Sequence, residues 1–420
     1  MATKPQEAYD IARERYAALG VDTEQALATL QGVGISLPCW QGDDVRGFES
    51  PDAALSGGGI QATGDRPGRA RNADELRADL EKALSLLPGD HRVNLHAMYG
   101  EFGGRPVDRD AVSKEHFAGW IDWARERTLG LDFNATLFSH PRADAGFTLS
   151  SPDAGTRAFW IEHVLRCRRI AESMGRSLHT PCVHNLWIPD GMKDVPADRR
   201  GFRERLESSL DTIFDQKRDP ASMKDAVESK LFGLGAESFT VGSHEFYLGY
   251  ALSRGLMVCL DLGHFHPTES VADKISSILL FSDALLLHLS RPVRWDSDHV
   301  TILDDALEET AREVVQNGLD RVHLALDFFD ASINRPGAWV IGARAACKAI
   351  LGALLEPSAR LRSLEAEGDY FRRLALFEAL KTLPLGAVWE EHCRRNEVPG
   401  DEGWIDEIAR YDHEVLQQRS

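Results

Sequence analysis

Nowhere in this sequence do two cysteines stand with only two residues between them. The six present, Cys39, Cys167, Cys182, Cys259, Cys347 and Cys393, are scattered along the chain. That excludes a thiolate zinc knuckle and fits a reducing compartment better than a disulfide scaffold. Positive charge is also scarce: 48 Lys and Arg stand against 66 Asp and Glu, a net charge of −18. A phosphate backbone needs a basic surface, so nucleic acid is not an expected partner, and an anionic membrane is disfavoured for the same reason. No stretch approaches the roughly 18 uninterrupted apolar residues of a spanning helix. Met1–Arg15 is polar and charged, without the apolar core of a secretory signal, so a cytoplasmic location is expected. No Gly-Lys-Ser/Thr follows Gly57–Gly64, so that stretch is not a phosphate loop.

The 420 residues are 43% hydrophobic and 27% charged, an ordinary soluble composition with enough length for a large core. Short apolar runs alternate with amphipathic stretches. Strands are expected at Val33–Trp40, Arg92–Tyr99, Gly130–Phe138, Pro181–Ile188, Ala226–Phe232, Met257–Phe265, Leu285–Ser290 and Arg321–Phe328. Helical patterns lie between them at Ala73–Leu87 (with Asn72 as N-cap), Ala111–Thr128, Ser151–Met174, Gly201–Gln216, Thr268–Phe281 and Asp304–Gln316. Near-continuous apolar strands suit a parallel sheet covered on both faces. Eight of them alternating with helices predict an α/β fold, a (β/α)₈ TIM barrel. A doubly wound open sheet is the rival, but it would place its ligand at one switch point. After Phe328 the pattern stays helical, through Ala338–Leu355, Leu361–Ala366, Gly368–Leu380 and Ala387–Arg395. This predicts a barrel domain over 1–335, with an N-terminal helical segment, and a helical C-terminal extension over 336–420 for oligomer contacts. Gln41–Arg71 is polar, Gly-rich and long for a βα connection, which predicts a lid or binding loop.

Barrel enzymes carry function at the C-terminal ends of their strands. The fifth run holds Glu228 and Lys230, two apart and so on one face of a strand. The sixth ends in Asp261, His264 and His266, the last read as a cap or orienting group. The seventh gives His288 and a loop with Asp296 and Asp298, where Arg291 and Arg294 stand ready to pair or support. The eighth ends at Asp327. Singly, these residues also fit a buried ion pair, a helix cap, a satisfied core histidine or a solvated acidic turn. Together, Glu228, Asp261, His264, His288, Asp296, Asp298 and Asp327 are too many ligands for one ion and imply two. Five oxygen donors, two imidazoles and no thiolate suit Mn²⁺, Mg²⁺ or Co²⁺ better than zinc. Earlier strand ends add His96, Asp132, Asn134 and Trp187, with Trp187 and Trp40 as candidate apolar walls against a sugar.

At these residues the sequence resembles the L-rhamnose isomerases, over nearly the whole chain. The specific stretches are Cys39–Val45, Gly59–Gly64, Asn185–Asp194, Glu228–Gly233, Asp261–Thr268 and Arg291–His299, with no departure at a ligand position. The resemblance implies an aldose–ketose isomerase interconverting L-rhamnose and L-rhamnulose, a homotetramer, and two Mn²⁺ ions per subunit with Co²⁺ or Mg²⁺ as substitutes. Carried over by motif, Glu228, Asp261, His288 and Asp327 hold a structural metal, and His264, Asp296 and Asp298 a catalytic one. Lys230 and Asp327 then lie by the reacting carbons and His96 by the ring oxygen. The sugar contacts expected are His96, Trp187, Lys230, His264 and Asp296. With two cations and no obvious free base, a hydride shift from C2 to C1 is favoured over a carboxylate base and an enediol. Two other readings share the ligands. A phosphodiester hydrolase would need a basic groove, and a non-catalytic sugar or metal sensor would have lost Lys230 or a ligand.

Overall fold

The computed structural model describes residues 5–49, 63–230, 238–266, 268–293 and 296–419. Part of the expected lid (50–62) and the motif residues 231–233, Pro267, Arg294 and Trp295 lie outside the described residues.

Eight parallel strands close a barrel in chain order: β1 (Ile35–Pro38), β2 (Arg92–His96), β3 (Gly130–Asn134), β4 (Cys182–Trp187), β5 (Met223–Glu228), β6 (Met257–Asp261), β7 (Leu285–Leu289) and β8 (Val322–Leu326). β8 pairs back onto β1, with Leu324 opposite Ile35. This closure excludes the doubly wound sheet. Seven strands fall inside the ranges expected from sequence. β5 does not, because it starts three residues earlier and ends at Glu228. Its polar start, Lys224-Asp225, conceals a strand that tertiary partners make affordable: Arg168 and His184 both bond the Asp225 carboxylate. Lys230 therefore lies beyond the strand, and its place does not follow from strand periodicity.

Helices α1 (Pro5–Ala17) and α2 (Thr23–Gln31) precede β1. The crossovers are α3 (Ala73–Leu84), α4 (Ala118–Glu126), α5 (Ala154–Leu178), α6 (Arg199–Phe214), α7 (His244–Arg254), α8 (Ala272–Leu279) and α9 (Asp305–Asn317). Asn72 caps α3 as expected, its Oδ1 accepting from the Glu75 N–H at 3.0 Å. α10 (Arg335–Leu354) packs on α9, α3, α2 and β1, the place of an eighth barrel helix. It is long and apolar enough to cross a membrane, yet 78% of its apolar window is buried in the protein, so it reads as a core helix. The C-terminal extension continues as α11 (Ser358–Ala366), α12 (Tyr370–Leu380), α13 (Leu385–Arg395) and α14 (Gly403–Glu414).

The main core lies between strands and helices. A separate apolar cluster of Val183, Ala226, Met257, Cys259, Leu286 and Ala325 forms the barrel floor. Two residues further along those strands, on the same pleat face, stand Asn185, Glu228, Asp261 and His288, with Asp327 just past the end of β8. Strand parity alone thus stacks a polar layer on the apolar floor.

Candidate metal centre

That polar layer converges. One ligand atom each from Glu228, Asp261, His288 and Asp327 lie within 4.8 Å of one another. Nδ1 of His288 is 3.2 Å from Glu228 Oε1, 3.1 Å from Asp327 Oδ2 and 3.8 Å from Asp261 Oδ2. Sheet register explains part of this, since Asp261 stands directly opposite His288. Burial opposes ionisation of Glu228, but His288 and His264 outweigh it and hold the carboxyl down at about 2. Asp261 shows the reverse. Burial, reinforced by Asp327 and Glu228, pushes its carboxyl up to about 7 despite His264.

His264, Asp296 and Asp298 adjoin this group from the turns after β6 and β7. His264 lies between the two sets, with Nδ1 3.4 Å from Glu228 Oε1 and Nε2 3.3 Å from Asp296 Oδ2. Burial would neutralise its imidazole, but Asp296 and Asp261 hold its pKa well above the usual value. Burial would raise Asp296 too, but His264 and then Lys230 keep it low. Burial pushes Asp298 well above the carboxylate range, and repulsion from Asp296, Asp327 and Asp261 adds to it. Asp298 also holds a left-handed backbone, φ 41°, a conformation Asp tolerates better than most residues. Unlike the first four, this trio does not form a compact cluster of mutually close ligand atoms among the described residues. The acidic turn is not neutralised by Arg291. Among the described residues Arg291 pairs with neither acid, and its backbone N–H donates to His299 O instead.

An aromatic row borders the carboxylates. Trp40 meets His96 edge-on at 5.0 Å, His96 meets Phe138 at 5.6 Å, and Phe138 meets Trp187 at 5.6 Å. Lys230 is buried, with Nζ 4.5 Å above the Trp187 ring. Such an ammonium gains from the ring quadrupole as well as from nearby carboxylates. Burial, with Arg109 adding repulsion, pushes His96 down to about 3, so its imidazole is neutral at physiological pH. Trp40 is more than a wall, because its indole N–H donates to Asp327 Oδ1 at 3.1 Å.

Sequence reasoning missed several groups that orient these side chains. The Asn185 amide donates to Glu228 Oε2 at 2.5 Å. The Ser290 hydroxyl donates to Asp261 Oδ1 at 3.0 Å, and the Gly263 N–H donates to the same oxygen at 2.5 Å. A Cβ on Gly263 would come within 3.1 to 3.3 Å of Asp261 Oδ1, Asp296 Oδ1 and Ser290 Oγ. The hints for Asn185 were its position two residues before the strand-ending Trp187 and its place at the head of the resembling stretch Asn185–Asp194. Two expected residues go elsewhere. Asp132 lies mid-strand, paired with Arg92 at 2.8 Å and bonded by Ser36. Asp132, Arg92 and Ser36 line a cavity of about 740 Å³ toward the N-terminal end of the barrel. Asn134 donates to Asn94 Oδ1 and Leu95 O. His266 is exposed and engages the hydroxyl and N–H of Thr268 in a local turn, and the N-cap position of α8 is Val271 instead.

The donor set fits divalent cations. Asp261 Oδ2, Asp296 Oδ1, His264 Nδ1 and His288 Nε2 are buried without a hydrogen-bond partner among the described residues. Unpaired buried polar atoms are costly, and repelling carboxylates beside them are costlier still. Cations among these atoms remove both penalties. A closed (β/α)₈ barrel with this centre at its strand ends defines a class of protein, the barrel enzymes built around divalent metals.

Within that class, residues 3–419 match the model of the L-rhamnose isomerase (RhaA) family. The chain is 57% identical to an L-rhamnose isomerase of Rhodopirellula baltica over 99% of its own length and 97% of that protein's. It is 56% identical to one of Salmonella typhimurium over the full length of both. The chain belongs to the L-rhamnose isomerase family. Among solved structures it is similar to a D-psicose 3-epimerase from Clostridium cellulolyticum H10, with TM-score 0.43 and 12% identity over 66% of this chain and 91% of that one.

Proposed function

We propose that the protein is a metal-dependent aldose–ketose isomerase that interconverts L-rhamnose and L-rhamnulose. The observation that carries this reading is identity of 56–57% with L-rhamnose isomerases over essentially the whole chain. The centre supports it chemically. Glu228, Asp261, His288 and Asp327 would hold one ion, and His264, Asp296 and Asp298 a second, with Mn²⁺ the proposed metal. When bound, such ions polarise a carbonyl oxygen and lower the cost of a neighbouring alkoxide.

The chain's own residues then do four things. The row Trp40, His96, Phe138 and Trp187 receives the apolar face of the sugar and excludes water. Neutral His96 donates a ring N–H to the ring oxygen. Lys230, held over Trp187, places positive charge by O1 as the carbonyl moves. Asp327, aligned by the Trp40 N–H, sits beside the reacting carbons. We favour hydride transfer from C2 to C1 in the open chain, the C2–H bond breaking as the C1–H bond forms while O2 gives its proton to solvent and O1 takes one back, because every carboxylate of the cluster is committed as a ligand and none is left as base. Substantial deuterium at C1 of product formed in deuterated water would rule that route out. The isomerase reading itself is tested by metal-stripped protein assayed on L-rhamnose with and without Mn²⁺. Ketose formation should return with the metal, and its absence on any related aldose overturns the assignment.

We also propose a cytoplasmic homotetramer whose barrel carries catalysis and whose C-terminal helices carry subunit contacts. Tyr370, Phe371 and Leu374 on α12 are exposed apolar side chains that support this. Sedimentation equilibrium should give four times the 46.6 kDa chain mass, and a monomer would refute it.

A further inference from the structure

Cys259 belongs to neither ligand set above. It lies on β6 in register with Glu228 of β5, two residues before Asp261 and on the same pleat face. Its Sγ, a carboxylate oxygen of Glu228 and a ring nitrogen of His288 lie within 4.8 Å of one another. All three residues are buried, and among the described residues His288 Nε2 has no hydrogen-bond partner. We propose that Glu228, Cys259 and His288 form a soft-cation site on the floor of the metal centre, which takes Cd²⁺ or Zn²⁺ in competition with the hard ion.

The competition follows from shared donors. Glu228 and His288 are common to this group and to the oxygen-rich set completed by Asp261 and Asp327. An ion held by the shared pair moves either toward two carboxylates or toward one sulfur. Carboxylate oxygens suit Mn²⁺ and Mg²⁺, whereas thiolate sulfur selects softer ions. Around the sulfur, Ala226, Leu286, Met257 and Ala325 make an apolar floor, which limits solvent access to an ion bound there. On binding, the Cys259 S–H bond breaks, a sulfur–metal bond forms, and the proton leaves to solvent with no change of oxidation state. Occupation by a soft ion withdraws Glu228 and His288 from the oxygen-rich set, so Cd²⁺ and Zn²⁺ act as competitors of the working metal.

The inference rests on the metal-centre reading, but its test is separate from sugar conversion. Chelator-stripped full-length protein is titrated with Cd²⁺ and followed by ultraviolet thiolate-to-cadmium charge transfer. The wild type should show the band at one equivalent. Cys259→Ser and Cys259→Ala should lose it, with Cd²⁺ affinity falling at least ~10-fold relative to Mn²⁺ affinity. No band in the wild type, or a band that survives both substitutions, overturns the proposal. Should the variants fail to fold, the anomalous signal of Cd²⁺ in wild-type crystals decides. Cadmium bonded to Cys259 Sγ supports the site. Cadmium among Asp261 and Asp327 oxygens, out of reach of sulfur, overturns it. Mn²⁺-restored isomerisation without sulfur-bound cadmium removes this inference alone. Sulfur-bound cadmium without sugar conversion removes only the isomerase reading.

Discussion

Asn185 carries no charge, yet its amide decides how Glu228 is presented, through a hydrogen bond of 2.5 Å to Oε2. Groups that orient a ligand without touching the metal typically contribute 10–100-fold in metal affinity. Asn185→Ala should therefore weaken Mn²⁺ binding by about that factor, read as a dissociation constant on folded protein. An unchanged constant would show that Glu228 needs no such support. The two ligand sets make a second prediction. Asp296→Asn should lower kcat/KM by roughly 100-fold or more with little change in melting temperature. Glu228→Gln should lower the melting temperature as well, because Glu228 is 2% exposed and bridges His264 and His288. If both variants melt early and equally, the proposed division of the sites fails. At this scale Glu228, Asp261, His288 and Asp327, which the fold brings together, were legible because each interrupts or ends an apolar run. Asn185, Ser290, Gly263 and Cys259 were not, since their importance comes from atoms on neighbouring strands.

Single elements were legible where burial is two-sided and continuous, and obscure where a polar residue depends on a distant partner. β5 is the clear case. Arg168 of α5 bonds Asp225 through Nε and a terminal nitrogen, and it also donates to the carbonyls of Ile213 and Gln216. Removing one partner of a buried pair leaves an uncompensated charge, so Arg168→Met should cost about 3–5 kcal/mol in urea unfolding. Burial works against ionised Asp225, but His184 and Arg168 outweigh it and hold its pKa below the usual value. The folded pKa is thus lower than the unfolded one. The stability this confers is complete above the unfolded value near ~4 and is lost as pH falls through the folded value. The stability gap between wild type and Asp225→Asn should be widest at neutral pH and narrow in acid. A gap that widens in acid contradicts the sign. α7 was overlooked for a different reason. Its stop signal, Gly255 at φ 67°, was present, but the short stretch of mixed aromatics before it reads poorly as one amphipathic face.

For the whole molecule, metal and fold should be linked. A cation that binds only the folded centre stabilises it by about 2.7 kcal/mol at a hundredfold excess over its dissociation constant. Chelation should therefore lower the melting temperature, and added Mn²⁺ should restore it in the wild type but far less in Glu228→Gln. A melting temperature indifferent to chelator would mean that the buried donors are satisfied without metal. The alternation of strand and helix, the count of eight strands and the helical tail were determined by sequence alone. Their signals are local: apolar runs, helical periodicity and caps such as Asn72. What only tertiary structure decided is which donors meet. Glu228 and Asp327 belong to strands far apart in the chain, and only barrel closure and register bring their carboxylates around His288. Closure also sent Asp132 to Arg92, drew Trp40 onto Asp327, and set Cys259 beside the same donors. Distances between strands are set by pairing across the whole sheet, a property that no stretch of sequence carries by itself.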